Sequence, residues 1–103
     1  MAKRKPVDFR ALRILIPPYR ALRLLGWQGR WEPAGQYRGP CPIHGSSRPG
    51  SRSFTVGERV AYCHKCKWKG DAVALWAAIH SLTMIDAAYD LCERSGVAVP
   101  PLG

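Results

Sequence analysis

Residues 37–44 read YRGPCPIH and residues 61–71 read AYCHKCKWKGD; the fold turns on these two short stretches. Each carries two potential metal ligands separated by two residues: Cys41 and His44 in the first, Cys63 and Cys66 in the second. A gap of two lets the backbone fold back so that both side chains reach one ion. Eighteen residues lie between the pairs, room for strands that carry the second pair to the first. Thiolate and imidazole donors in a set of four match the tetrahedral preference of Zn²⁺. Four protein ligands leave no open position for a catalytic water, so the pattern predicts one structural zinc whose binding energy becomes folding energy. Iron–sulfur ligation by the same set is less natural with one His. Cys92 falls on the apolar face of the last predicted helix and reads as a buried thiol. His64, one residue after Cys63, would need strained geometry to reach the same ion, and His80 lies near a helix end and reads as a non-ligand.

Outward from these pairs, Gln36–Gly39 reads as a short strand entering Cys41. Gly45–Arg52 (GSSRPGSR) reads as a polar loop, and Ser53–Val56 and Arg59–Cys63 as two short strands. Gly57-Glu58 suits the centre of a tight turn between them, although a longer loop fits as well. Toward the N-terminus, Asp8 is placed to cap a helix over Phe9–Ile16, which Pro17-Pro18 breaks. A second helix over Tyr19–Leu25, with Pro18 in its first turn, stops at Gly26 and buries Ala21, Leu22 and Leu25. Trp27 and Trp31 follow in a Gly-rich connection. Toward the C-terminus, Asp71 caps a helix over Ala72–His80 with Ala72, Leu75, Trp76 and Ile79 on one face. Thr83 caps another near Met84–Ser95, stopped by Gly96, with Ile85, Ala88, Tyr89, Leu91 and Cys92 facing inward. The reading is one α+β domain over residues 8–97, with a disordered basic arm at 1–7, a tail at 98–103 and no internal repeat.

Charge is divided unevenly. Residues 1–69 hold 15 Lys and Arg against three acids, a net of +12; residues 70–103 hold Arg94 against four acids, a net of −3. A concentration of positive charge favours an acidic partner, nucleic acid above all. No apolar run approaches the ~18 residues of a membrane span, and Ile14–Ile16 is too short for a signal peptide. These features predict an intracellular, cytoplasmic protein with no membrane partner. In that reducing setting closely spaced cysteines favour metal over disulfides. Arg38, Arg48, Arg52, Arg59, Lys65, Lys67 and Lys69 surround the ligands in sequence and are expected to meet phosphates. Tyr62 fits equally well packed on the sheet or stacked on a base. Trp68, between two lysines, is expected to be exposed and to stack.

The run from Tyr37 to Asp71 resembles the zinc-binding domain of bacterial-type DNA primases. The matching elements are Tyr37-x-Gly39-x-Cys41-Pro42-x-His44, Ser53-Phe54-x-Val56, and Tyr62-Cys63-x-x-Cys66-x-x-x-Gly70-Asp71. Ala87-Ala88 and Gly96-Val97 also look like that domain's end. The resemblance implies a zinc ribbon: a small antiparallel sheet stapled by one zinc through Cys41, His44, Cys63 and Cys66, flanked by N- and C-terminal helices. It implies a role in recognising single-stranded template for primer synthesis, beside a separate catalytic subunit or a helicase. Ile43 departs from the aromatic common there, the loop after His44 is about three residues longer, and the family's acid soon after that His is missing. The sequence ends where a primase would continue into its polymerase domain, and the clustered carboxylates that hold Mg²⁺ are lacking. Asp86, Asp90 and Glu93 read as a solvated helix face. The expectation is a DNA-binding module without catalysis of its own; a protein–protein adaptor or an inactive primase fragment is the alternative.

Overall fold

The computed structural model describes residues 4–32, 36–43 and 52–102. In chain order the elements are α1 (Phe9–Leu15), α2 (Pro18–Leu24), β1 (Arg30–Glu32), β2 (Gln36–Gly39), β3 (Phe54–Val56), β4 (Ala61–Cys63), β5 (Lys69–Gly70), α3 (Ala72–His80) and α4 (Met84–Ser95). The five strands form one antiparallel sheet in sequence order. The α+β ribbon with flanking helices is thus the observed architecture.

Each helix ends where its sequence stops it. Asp8 accepts from Ala11 N to open α1, Pro17 and Pro18 separate α1 from α2, and Thr83 accepts from Asp86 N to open α4. Gly96 closes α4 at φ +72°, a left-handed conformation that costs glycine little. The α4 face differs slightly from expectation: Ala87, Ala88, Leu91 and Cys92 are buried, whereas Ile85 and Tyr89 are half-buried.

Two strands go beyond the sequence expectation. β1 lies in the stretch whose glycines predict a connection, and β5 is only two residues long. The turn between β3 and β4 is also displaced by one residue. Val56 pairs with Ala61, and Gly57 N donates to Val60 O at 2.9 Å, so Glu58-Arg59 forms the centre, not Gly57-Glu58. The pairing fixes two faces, since directly opposed residues point to the same side. One row is Arg30, Arg38, Thr55, Tyr62 and Lys69; the adjacent row is Trp31, Tyr37, Val56, Ala61 and Gly70. The second row faces the helices, where Phe54, Val56, Ala61 and Cys63 join Leu12, Ile16, Leu22, Leu75, Trp76 and Leu91 in one core.

The segment at residues 4–7 corrects the expectation of a disordered arm. Val7 is buried and bridges Pro101, while Asp8 N donates to Pro100 O. The Lys5 carbonyl accepts from the Tyr89 hydroxyl, and Arg4 pairs with Asp86 and lies over the Tyr89 ring. The tail therefore has a packing role against the N-terminal segment.

One buried acid, where β5 passes into α3, ties two helices together. Asp71, 7% exposed, accepts from Ala74 N through Oδ1 (2.9 Å) and from Arg13 Nε through Oδ2 (2.8 Å). It caps α3, as expected, and also ties down α1. Asp71→Ala is expected to lower unfolding stability by about 2–3 kcal/mol, because a cap is lost and Arg13 loses its acceptor. Asp71→Asn, which keeps the cap, is expected to cost about 1 kcal/mol. Urea unfolding of both variants at fixed zinc checks this ordering.

Candidate metal centre and flanking basic face

Cys63 lies at the end of β4, and Cys66 follows in the turn of residues 64–66. That turn is closed by backbone hydrogen bonds: Lys67 N donates to Cys63 O at 2.9 Å and Cys63 N to Trp68 O at 2.8 Å. Cys66 N points at the Cys63 sulfur, 3.3 Å away. Lys67 adopts φ +65°, the left-handed conformation a tight knuckle requires after its second ligand. Gly70 has no Cβ because one would lie 2.8 Å from the Ala74 Cβ and 2.9 Å from the Trp68 ring. Gly70 thus lets the knuckle pass closely over the start of α3.

Opposite the knuckle, Cys41 is buried just past the end of β2. The sulfurs of Cys41, Cys63 and Cys66 all lie within 4.8 Å of one another, with Cys41 and Cys66 at 3.8 Å. Sulfurs at two corners of a tetrahedron about zinc, each ~2.3 Å from the metal, stand ~3.8 Å apart. The donor set therefore fits zinc. Burial pushes the Cys63 thiol up, but hydrogen bonds from Cys66, Lys65 and Cys41 outweigh it and bring the thiol down from 9.0 to about 6. A thiolate at neutral pH is the form that ligates metal.

His44 lies outside the described residues, as does Arg48. His64 turns to the sheet: its Nε2 is 3.0 Å from Thr55 Oγ1 and its ring meets Tyr62 edge-on. Cys92 is buried in α4, where burial raises its thiol, and it is not part of the sulfur cluster.

The remaining predicted contacts separate into groups. Arg38, Tyr62 and Lys69 stand in one cross-strand row on the outer face. Lys65 and Lys67 are exposed on the knuckle beside it. Arg52 is engaged with Glu32 through Nε at 2.6 Å and a second guanidinium contact, and its carbonyl accepts from Arg38. That pairing holds the Glu32 carboxyl below its ordinary range. Arg59 occupies the β3–β4 turn, at the end of the hairpin away from Cys63. The exposure expected of Trp68 is corrected: its ring is half-buried and stacked on Phe54, with centroids 6.1 Å apart. A ring in a tight knuckle is drawn onto the nearest core aromatic, and the flanking lysines conceal this in the sequence. Arg30, at the edge of the outer row, was not singled out; its signal was the Arg-Trp-Glu alternation of a strand too short to stand out.

A family model described as CHC2 zinc finger matches residues 31–102. Among curated proteins, the chain is similar to the DNA primase of Borreliella burgdorferi, 35% identical over 63 residues, which cover 59% of this chain and 12% of that protein. It is similar to the DNA primase of Halalkalibacterium halodurans at 31% identity over 64 residues, 62% of this chain and 10% of the relative. The DNA primase of Staphylococcus epidermidis is 34% identical over 65 residues, 61% of this chain and 10% of the relative. The chain thus spans about a tenth of the length of the relatives it matches.

Two outcomes test the metal centre. Cys63→Ser with Cys66→Ser should abolish zinc retention in native mass spectrometry, whereas Cys92→Ser should retain it. Because every sulfur must give up its proton to ligate, zinc affinity should fall as pH is lowered, and more steeply, by about tenfold or more per pH unit, once protons also take Cys63, whose thiol is brought down to about 6. A competition titration with a chromophoric chelator reads this directly. The backbone at Lys67 generates a further expectation. Lys67→Gly should change stability by less than about 1 kcal/mol, whereas β-branched Lys67→Val should lower it by about 1–2 kcal/mol. Thermal unfolding of the zinc-loaded proteins compares the two.

Proposed function

The chain belongs to the CHC2 zinc-finger family, and on that premise we propose that it is a zinc-dependent module that binds single-stranded DNA in primer synthesis, beside a separate catalytic protein. Cys41, His44, Cys63 and Cys66 hold one structural zinc in this reading, His44 supplying the fourth donor. When bound, the metal supplies cross-linking and charge neutralisation, not a reactive centre. Cys41 anchors the end of β2 to the knuckle, and Cys63 and Cys66 fix the lysines between and beside them.

The observation that carries the reading is the outer row of the sheet. Arg30, Arg38, Thr55, Tyr62 and Lys69 oppose one another across all five strands, and Lys65 and Lys67 project from the adjoining knuckle. Spaced cations along a short sheet neutralise successive phosphates, and a half-exposed Tyr in their midst offers a stacking surface. Thr55 and His64 flank Tyr62 and add hydrogen-bonding groups. Arg52 acts differently in this scheme: paired with Glu32, it holds the approach to β3 and orients Arg38. Arg48 and Arg59 serve as outlying phosphate contacts. The relatives' identity as DNA primases supports a replication role and a cytoplasmic location, with a primase catalytic subunit or a helicase as the protein partner.

A titration of zinc-loaded protein against single-stranded and duplex oligonucleotides at two salt concentrations tests this. Single-stranded binding should weaken as salt rises, and Lys69→Ala or Arg38→Ala should reduce the log–log salt slope by about 0.7. Tyr62→Ala should instead cost about 1–3 kcal/mol of affinity at an unchanged slope, since stacking releases no counterions. Trp68→Ala should act through stability, lowering it by about 2–3 kcal/mol. If the triple variant Lys65→Ala, Lys67→Ala, Lys69→Ala keeps zinc and binds single strands like the parent, this face is not the DNA-binding surface.

A further inference from the structure

We propose that the groove between β1 and α2 takes one unstacked base of the bound single strand, held against Trp31. This deepens the DNA-binding reading above and rests on it. Trp31 is on the edge strand β1 and is 60% exposed, although it belongs to the row that faces the helices. Its ring meets Tyr37 edge-on at 4.8 Å, and Tyr37 is stacked on Tyr19 at 4.4 Å with 20° between the planes. Arg23 lies over the other end of this ladder, 5.8 Å from the Tyr19 centroid. The three rings, with Pro17, Val56 and Glu58, line a cavity of about 260 Å³.

The chemistry of the lining favours a base over other occupants. The stacked Tyr19 and Tyr37 fix the edge-on ring of Trp31 in place, and that exposed ring offers a flat surface on which a base stacks. The walls carry tyrosine hydroxyls and a single carboxylate, with no cation among them. Glu58 makes no ion pair among the described residues. A carboxylate at this place turns phosphates away and accepts from the N–H groups at a base's edge. The cations lie outside the cavity: Arg30, next in sequence to Trp31, projects to the opposite face in line with Arg38. A strand tracking the outer row from Lys69 to Arg30 therefore reaches β1, the edge of the sheet among the described residues. Its backbone can stay on the arginines while the next base turns over the edge onto Trp31. The aromatic groove and the basic row then read a single strand jointly, whereas a duplex, with its bases paired, cannot insert.

Zinc-loaded protein with the twelve-residue thymidine oligomer dT12, and with a wholly abasic oligomer of equal length, separates this inference from the one it rests on. Trp31→Ala is expected to weaken dT12 binding about 5- to 150-fold at an unchanged salt slope and to leave abasic binding unaltered. Zinc content and the unfolding midpoint verify that the variant is folded. A second measurement uses the unaltered chain: irradiation with an oligomer carrying 5-iodouracil should cross-link the tryptic peptide of residues 31–38. If the parent binds dT12 with a normal salt slope while Trp31→Ala binds it equally well, the groove is overturned and the outer face stands. Cross-links confined to the peptide bearing Tyr62 would overturn it too. If the parent shows no salt-dependent affinity for dT12, the DNA-binding reading fails and this inference fails with it.

Discussion

Three cysteine sulfurs converge within 4.8 Å, and the geometry of the sheet's metal-bearing end follows from that closeness. Thiolates so near one another repel unless a cation neutralises them, and a cation that does so becomes a cross-link between distant segments. The strands that meet there are very short: β3 and β4 have three residues each and β5 two. Such strands have few ladder hydrogen bonds to offset the entropy of ordering them. A staple between the end of β2 and the β4–β5 knuckle supplies what the ladder lacks. The same knuckle places Trp68 on Phe54 and brings Gly70 against Ala74, so the metal-bearing turn and the hydrophobic core are continuous.

The helical layer depends on a second tie, and the two are adjacent. Gly70 ends β5 and Asp71 opens α3, so the strand entering the core and the helix leaving it share a boundary of one peptide bond. Asp71 is nearly enclosed, yet both its oxygens have donors, one from α3 and one from Arg13 on α1. A buried carboxylate so satisfied specifies an orientation, because any other arrangement would leave a charge without a partner. On the far side of α4, Trp76 Nε1 donates to Asp90, which also pairs with Arg94, while Asp86 is held by Arg4. The acids of the negative C-terminal third are therefore largely engaged within the fold. The positive row of the sheet stays on the other side, at the surface.

How much of this was legible in the sequence varies with the kind of signal. Helix boundaries were, because caps and breakers act locally: Asp8, Pro17, Asp71, Thr83 and Gly96 each perform the role their chemistry dictates. The Cys63–Cys66 knuckle was legible because ligand spacing is a local property of a turn. β1 and β5 were not, since two or three residues carry no alternation and exist only through their neighbours. The sequence leaves the turn between β3 and β4 open between a tight turn and a longer loop, because its register is set by Phe54 and Cys63 sharing the core face, not by the preference of Gly57. Residues 4–7 lacked any sign of the contacts with Pro101 and Tyr89, which lie more than eighty positions away.

By itself the sequence determined the three cysteines that converge, the four helices with the residues that start and stop them, and the division of charge along the chain. These depend on residue type and on spacings of a few positions, and short-range sterics and hydrogen bonding act over that range. The tertiary structure decided which cations share a face. It set Arg30 and Arg38 in line with Tyr62 and Lys69, diverted Arg52 to Glu32, and left Arg59 at the far turn. It also decided which aromatics stay open, packing Trp68 on Phe54 while leaving Trp31 at the sheet's edge. Both outcomes follow from strand register and the finite width of the sheet, which arise only when segments remote in sequence pair and pack together.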